Sequence, residues 1–345
     1  MAAASPTATH TMALDARLTD SLGRVIHDLR VSITDRCNYK CVYCRTGEEG
    51  AQYPELGIDE YLRLIKLFAG LGITKVRLTG GEPLLRRGLV ELVRELARLR
   101  TLTGEPLDLA LTTNGHLLDS LAAPLKAAGL NRVTVSMDAV DAPTFERITR
   151  VPGSFQAVLQ GVRAARAAGL TPLKINCVLL RGFNDSQIEG FARFAREESV
   201  VVRFIEFMPL EEGRLWSPEI VVPLEEIVAR IGRVLPLVEL PRREQSETAR
   251  RYAFTDGVGE IGIIAPVSQA FCGACSRVRL TSDGKIRTCL FSQVEHDLYG
   301  RLRAGASDAE LRAYILRTVQ GKEARHHIGE PGFLKPSRSM VHIGG

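Results

Sequence analysis

The chain has 345 residues, 45 of them Lys or Arg against 40 Asp or Glu, giving a net charge of +5 with histidine neutral; 45% is hydrophobic and 25% charged. This is the composition of an ordinary globular protein of about two domains. It excludes a disordered or fibrous chain, and no apolar run is long enough to cross a membrane. The small positive excess does not by itself call for nucleic acid, but it suits an anionic ligand where the charge is concentrated.

Residues 1–21 hold Ala, Thr and Ser without a compact apolar block. They read as a loose leader and not as a secretory signal, so a cytoplasmic location with reduced thiols is expected. Strand-like runs follow at Val25–Thr34, Lys75–Thr79, Leu107–Thr113, Arg132–Met137, Leu173–Leu180 and Val200–Phe207. Between them lie helix-like stretches such as Ile58–Leu71, Gly88–Arg100, His116–Ala128 and Ser154–Ala168, with apolar residues three and four apart. Regular alternation of this kind predicts an α/β fold with a parallel sheet, either doubly wound or a partial barrel.

Alternation within the strands decides between these. One face carries Arg30, Ser32 and Thr34, then Lys75, Arg77 and Thr79, then Thr112 and Asn114, Thr134, Ser136 and Asp138, Lys174 and Asn176, and Arg203; the other face is apolar. A closed eight-stranded barrel fills its interior with Val, Ile and Leu, and unpartnered buried charge is expensive. The pattern therefore predicts an incomplete (βα)6 barrel of TIM type, open enough for a large anionic ligand, over 22–235. After Met208 the pattern breaks. Residues 236–345 are expected to form a smaller C-terminal α+β domain of short strands, with a helix near Asp308–Val319 and a tail ending Gly344-Gly345.

The seven cysteines fall as Cys37, Cys41 and Cys44, a lone Cys177, then Cys272, Cys275 and Cys289. Clustered thiols in a reducing compartment point to metal. Cys177 falls on an apolar strand face and reads as packing. The first set, spaced C-x3-C-x2-C after the first strand, can wrap three thiolates around one corner of a cubane and leave one iron open. A zinc site is the alternative, but it would need a fourth ligand and His116 is distant in sequence. The second set, C-x2-C-x13-C, stays ambiguous on spacing alone, since with His296 it could form a zinc ribbon. Arg277 and Arg279 lie between its cysteines on one face of a predicted strand, a pairing that suits phosphate or purine acceptors.

The first set, with Gly80-Gly81-Glu82-Pro83 after the second strand, resembles the radical S-adenosylmethionine (SAM) superfamily. That resemblance implies that the open iron chelates the methionine part of SAM, that Gly81 presents backbone to it, that Tyr43 lies near the adenine or shields the cluster, and that Ser136 and Met208 complete the SAM site. From about Leu22 to Gly345 the chain is similar to the GTP 3′,8-cyclase family, which opens molybdenum-cofactor biosynthesis. The matching stretches are Thr112-Thr113-Asn114-Gly115, Val135-Ser136-Met137-Asp138-Ala139, Arg203-Phe204-Ile205-Glu206-Phe207-Met208, Cys272-x2-Cys275 with Arg277-x-Arg279, Ser282-Asp283-Gly284-Lys285, Cys289-Leu290-Phe291 and Gly344-Gly345.

This likeness implies two [4Fe–4S] clusters, the auxiliary one binding the guanine of GTP. Arg30, Arg77, Thr112, Lys174, Arg203, Arg277, Val278 and Arg279 are its implied nucleotide contacts, and Arg277 and Arg279 join the first three cysteines as the residues nearest the chemistry. It further implies abstraction of the C3′ hydrogen by a 5′-deoxyadenosyl radical, a tail that enters the site, and a homodimer. The implied partners are an external flavodoxin- or ferredoxin-type donor and a downstream cyclic pyranopterin monophosphate synthase, with neither membrane nor nucleic acid. Rival readings are a peptide- or cofactor-modifying radical SAM protein, an iron–sulfur electron carrier and a zinc- and RNA-binding module.

Overall fold

A computed structural model describes residues 17–44 and 51–344; most of the leader, and Gly345, lie outside it. The chain runs β1 (Asp28–Ser32), α1 (Ile58–Ala69), β2 (Lys75–Thr79), α2 (Leu89–Arg98), β3 (Asp108–Thr113), α3 (Leu118–Ala127), β4 (Arg132–Ser136), α4 (Ala142–Thr149), α5 (Ser154–Ala167), β5 (Lys174–Leu179), α6 (Ile188–Glu197) and β6 (Val201–Glu206). It continues through α7 (Leu224–Val234), β7 (Leu237–Leu240), β8 (Arg250–Phe254), β9 (Glu260–Ile264), β10 (Arg277–Leu280), β11 (Lys285–Arg287), β12 (His296–Asp297), α8 (Leu298–Arg303), α9 (Asp308–Gln320) and α10 (Met340–Ile343). No helix of the described residues is long and apolar enough to cross a membrane.

All twelve strands form one sheet in the order β12-β11-β10-β1-β2-β3-β4-β5-β6-β9-β8-β7. The six strands expected from the sequence lie side by side in chain order and are parallel. The C-terminal part adds to both of their edges: β10 pairs with β1 and β9 with β6, each parallel. Eight parallel strands thus enclose an interior whose seam, between β9 and β10, is not paired. The region that the sequence sets apart as a second domain continues the same sheet, because both edges of a six-stranded core would otherwise expose unpaired N–H and C=O groups.

The outer face is the core. Leu29, Val31, Val76, Leu78, Val133, Val135, Ile175, Cys177, Val202 and Phe204 are buried beneath the helices, as the period-2 pattern requires. Cys177 is part of this packing. Helix α5 packs tightly against α3 and the turn before it, and glycine permits this: a Cβ on Gly161 would come within 2.4 Å of the Gly115 carbonyl oxygen and 3.0 Å of Leu118. Gly161→Ala should therefore destabilise the protein by about 1–3 kcal/mol through overpacking, although alanine favours a helix by about 1 kcal/mol. Chemical denaturation would measure it, and a gain in stability would show that the two helices are not in close contact.

Candidate active site

Chain loops and strand ends from both halves of the sequence line one cavity of about 300 Å3. All six clustered cysteines line it, together with Arg30, Arg77, Arg203, Arg277 and Arg279, Thr112, Gly81, Ser136, Tyr43 and Met208. The thiols are half-buried and none is in a disulfide. Cys37, Cys41 and Cys44 follow β1, whereas Cys272 and Cys275 precede β10 and Cys289 follows β11.

Among the described residues no three His, Cys, Asp or Glu side chains converge on a single ion. A tetrahedral zinc would need that convergence, with sulfurs at about 2.3 Å from one metal. Thiolates that each ligate a different iron of a cubane stand farther apart. Three thiols that leave one iron of a cubane open suit an iron–sulfur cluster. His296, the fourth ligand that zinc would have required, sits on β12 opposite Ile286 and does not line the cavity.

The first thiol loop is held by a carboxylate. Glu82 is fully buried and accepts hydrogen bonds from the backbone of Leu84 at 2.9 Å and of Asn114 at 2.7 Å, and from the Thr113 hydroxyl at 2.7 Å. Asn114 in turn donates its amide to Asn38 in the cysteine loop at 2.7 Å. Burial pushes the Glu82 carboxyl up to about 7, against the pull of those donors. The adjoining glycines serve the same joint. A Cβ on Gly80 would meet the Thr34 carbonyl oxygen at 2.4 Å and one on Gly81 the Arg36 carbonyl oxygen at 2.3 Å. Packing against the cysteine loop, and not ligand approach, is thus what requires glycine there. The Gly81 N–H is taken up by the Thr34 carbonyl at 2.8 Å, so its own carbonyl is the group left for a ligand.

Tyr43 donates its hydroxyl to Asp138 at 2.6 Å, and Asp138 also accepts from the Val178 N–H at 2.8 Å. Burial raises the Asp138 carboxyl to about 6. Tyr43 is fixed at the cavity wall by this bond.

The arginines form a row. Arg30 is directly opposite Arg279 on one side and Arg77 on the other. Arg77 donates to Thr112 and Thr134 at 3.2 and 3.3 Å; Arg203 donates to Asn176 at 3.0 Å and Thr134 at 3.3 Å. These partners are neutral. Burial, reinforced by neighbouring arginines, lowers Arg203 to about 9 and Arg279 well below the usual guanidinium range. Burial is also the main cause for Arg30, lowered to about 10. Arg132 and Lys75, nearer the N-terminal strand ends, do have carboxylate partners, Asp108 and Glu244 at 2.5 Å each.

Two of the expected nucleotide contacts have side chains outside the cavity lining. Val278 is 1% exposed on the opposite face of β10, packed in the core, so its side chain does not face the cavity. Lys174 opens β5 and does not line the cavity. It pairs with Thr134 of β4, and burial and the positive charge of Arg203, Arg132 and Arg77 lower its ammonium to about 8.

The tail reaches the site. Arg338 forms a two-pronged ion pair with Asp283 at 2.9 and 2.8 Å and lies over the Tyr53 ring. Met340 and Val341 line the cavity, and Arg279 donates to the Gly344 carbonyl at 2.6 Å. Gly344 has φ +79°, and a Cβ there would press on Ser32 and Thr79. Lys322 and His326 also line the cavity. Neither belongs to a recognisable motif, and only their nearness to the Gly- and Pro-containing end of the chain could have drawn attention to them.

An open parallel barrel that carries three thiols of a C-x3-C-x2-C loop at its mouth defines an iron–sulfur radical SAM protein. The Radical SAM superfamily model matches residues 31–195, and the Molybdenum Cofactor Synthesis C model matches residues 200–328. The fold is similar to that of SuiB from Streptococcus suis bound to S-adenosylmethionine, with a TM-score of 0.59 at 13% identity over 86% of this chain and 69% of that one. GTP 3′,8-cyclase from Moorella thermoacetica is 46% identical over 94% of this chain and 99% of its own length. The same-named proteins of Acidothermus cellulolyticus and Corynebacterium glutamicum are 44% and 43% identical over 86% and 95% of this chain, and 83% and 89% of their own lengths. The chain belongs to the GTP 3′,8-cyclase family.

Replacing Glu82 by Ala leaves three donors without their acceptor, and stability should fall by about 3 kcal/mol. Denaturation of the metal-free protein would show it, and an unchanged midpoint would mean that Glu82 does not tie the loops together.

Proposed function

We infer that this protein converts GTP to (8S)-3′,8-cyclo-7,8-dihydroguanosine 5′-triphosphate, the first step of molybdenum-cofactor biosynthesis. The observation that carries the reading is the placement of two thiol trios on one cavity, with a row of arginines along its wall. Cys37, Cys41 and Cys44 hold one [4Fe–4S] cluster, and Cys272, Cys275 and Cys289 hold an auxiliary one. The cluster held by Cys37, Cys41 and Cys44 would, when reduced, supply the electron for cleavage of SAM, the source of the radical chemistry at C3′ of GTP.

The remaining work is positioning. The Gly81 carbonyl, Ser136, Tyr43 and Met208 orient SAM at the mouth above β2 and β4. Arg30, Arg77, Arg203, Arg277 and Arg279 receive the nucleotide, with Thr112 beside them. Fixed guanidiniums without a carboxylate ion pair among the described residues compensate a triphosphate far better than solvated lysines could. Lys174, close to Arg203 and Arg77, is a further nucleotide contact. Arg279 holds the tail through Gly344, so the glycine end closes the site beside the reacting nucleotide, where only a residue without a side chain fits. An external low-potential donor of the flavodoxin or ferredoxin type supplies electrons in the cytoplasm. The product passes to cyclic pyranopterin monophosphate synthase, and the working form is a homodimer.

Anaerobic incubation with SAM, a reductant and GTP should yield 5′-deoxyadenosine only when GTP is present, with loss of the nucleotide. Equal turnover with ATP would overturn the purine assignment. Arg203→Met should raise the KM for GTP by about tenfold or more, the effect of losing one charged hydrogen-bond donor, while leaving SAM affinity unchanged; an unaltered KM would remove Arg203 from the nucleotide site. Deletion of Gly344 and Gly345 should leave SAM binding intact and suppress cyclisation, and unchanged cyclisation would exclude a role for the tail.

A further inference from the structure

The first thiol trio lies within one short loop, but the second is split: Cys272 and Cys275 precede β10, whereas Cys289 follows β11. Three thiolates that must meet one cubane need their loops held at a fixed separation. A buried polar chain that starts in the N-terminal segment does this. Arg24, 8% exposed, pairs through Nε with Asp20 at 2.5 Å. Its Nη1 donates to the carbonyls of Cys272 at 2.9 Å and Ala324 at 3.1 Å, and its Nη2 to that of Glu323 at 2.7 Å. One guanidinium thus grips the Cys272 loop and the segment after α9 together.

That segment holds the other loop. Lys322, 5% exposed, donates its ammonium to the Thr288 carbonyl. The Glu323 carboxylate accepts from the Thr288 hydroxyl at 2.7 Å and from the Ser292 hydroxyl. Thr288 directly precedes Cys289, and the Ser292 N–H bonds back to the Cys289 carbonyl at 3.3 Å. The path from Asp20 to Ser292 is one continuous network. In a buried network each member depends on the others being satisfied.

Resting on the two-cluster reading above, we propose that Arg24, Lys322 and Glu323 form a strap that sets the distance of Cys289 from Cys272 and Cys275, and so decides whether the auxiliary cluster is retained. They are positioning residues. Arginine is the suitable residue at position 24 because its planar fork serves several carbonyls at once, which a lysine ammonium on a flexible stem cannot do. The first trio, local in sequence and tied through Asn38 to Asn114, does not depend on the strap.

The test is anaerobic reconstitution of the full chain with iron and sulfide, comparing the natural protein with Arg24→Met and Glu323→Gln by iron content and Mössbauer spectroscopy. The natural protein should hold about eight irons and each variant about four. Both variants should keep reductive SAM cleavage and lose GTP cyclisation. The second variant changes little in shape and answers the question if the first fails to fold. Eight irons in both variants, or equal loss of both clusters, would overturn the strap. About four irons in the natural protein would instead overturn the two-cluster reading on which it rests.

Discussion

Mutual repulsion among buried arginines is the constraint around which this barrel is built. Arg279, Arg30 and Arg77 stand at corresponding positions on three adjacent strands, a sheet spacing of about 4.8 Å. Like charges on neighbouring strands repel, and burial away from water strengthens that repulsion. Burial is the main cause of the lowered proton affinities at Arg30, Arg203 and Arg279, and the neighbouring arginines add to it. Neutral hydroxyls and an amide are the partners that Arg77 and Arg203 find, and these satisfy donors without cancelling charge. The apolar outer face carries the cost and leaves the interior poised for a polyanion. An interior of this kind is not filled by Val and Leu, and β9 and β10 are not paired across the seam.

Much of this was legible in the sequence for a local reason. Period-2 alternation in six short strands separates Arg30, Arg77 and Arg203 from Val31, Val76 and Val202 without knowledge of the tertiary structure. The spacing of Cys37, Cys41 and Cys44 likewise lies within one loop. What escaped is non-local. Nothing in the stretch around Arg24 announces a hydrogen bond to Cys272, 248 positions away, and Lys322 lies in no motif. Lys174 and Val278 show the reach of alternation alone. Alternation gives the face of a residue but not its height in the barrel, and Lys174 is at the bottom of its strand. Val278 was drawn in by its two arginine neighbours, although its own side chain must point the other way.

The loops at the barrel mouth depend on one another as much as on their strands. Glu82 ties the glycine-rich turn after β2 to the turn after β3, and Asn114 passes that link on to Asn38. Three stretches that look like separate signatures are one joint. The closeness of Gly81 to Arg36 belongs to this joint, so the glycine serves the geometry of the thiol loop before it serves a ligand.

The continuous sheet bears on how such a chain can change over evolutionary time. The two family models meet near residue 200, yet the hydrogen bonding does not divide there, because β9 and β10 cover opposite flanks of the N-terminal portion. A recombination event that exchanged the C-terminal portion for one from a distant relative would have to match two strand registers at once, on edges a whole barrel apart. The halves are therefore constrained to be inherited together, and modularity at the level of sequence families does not extend to the folded molecule.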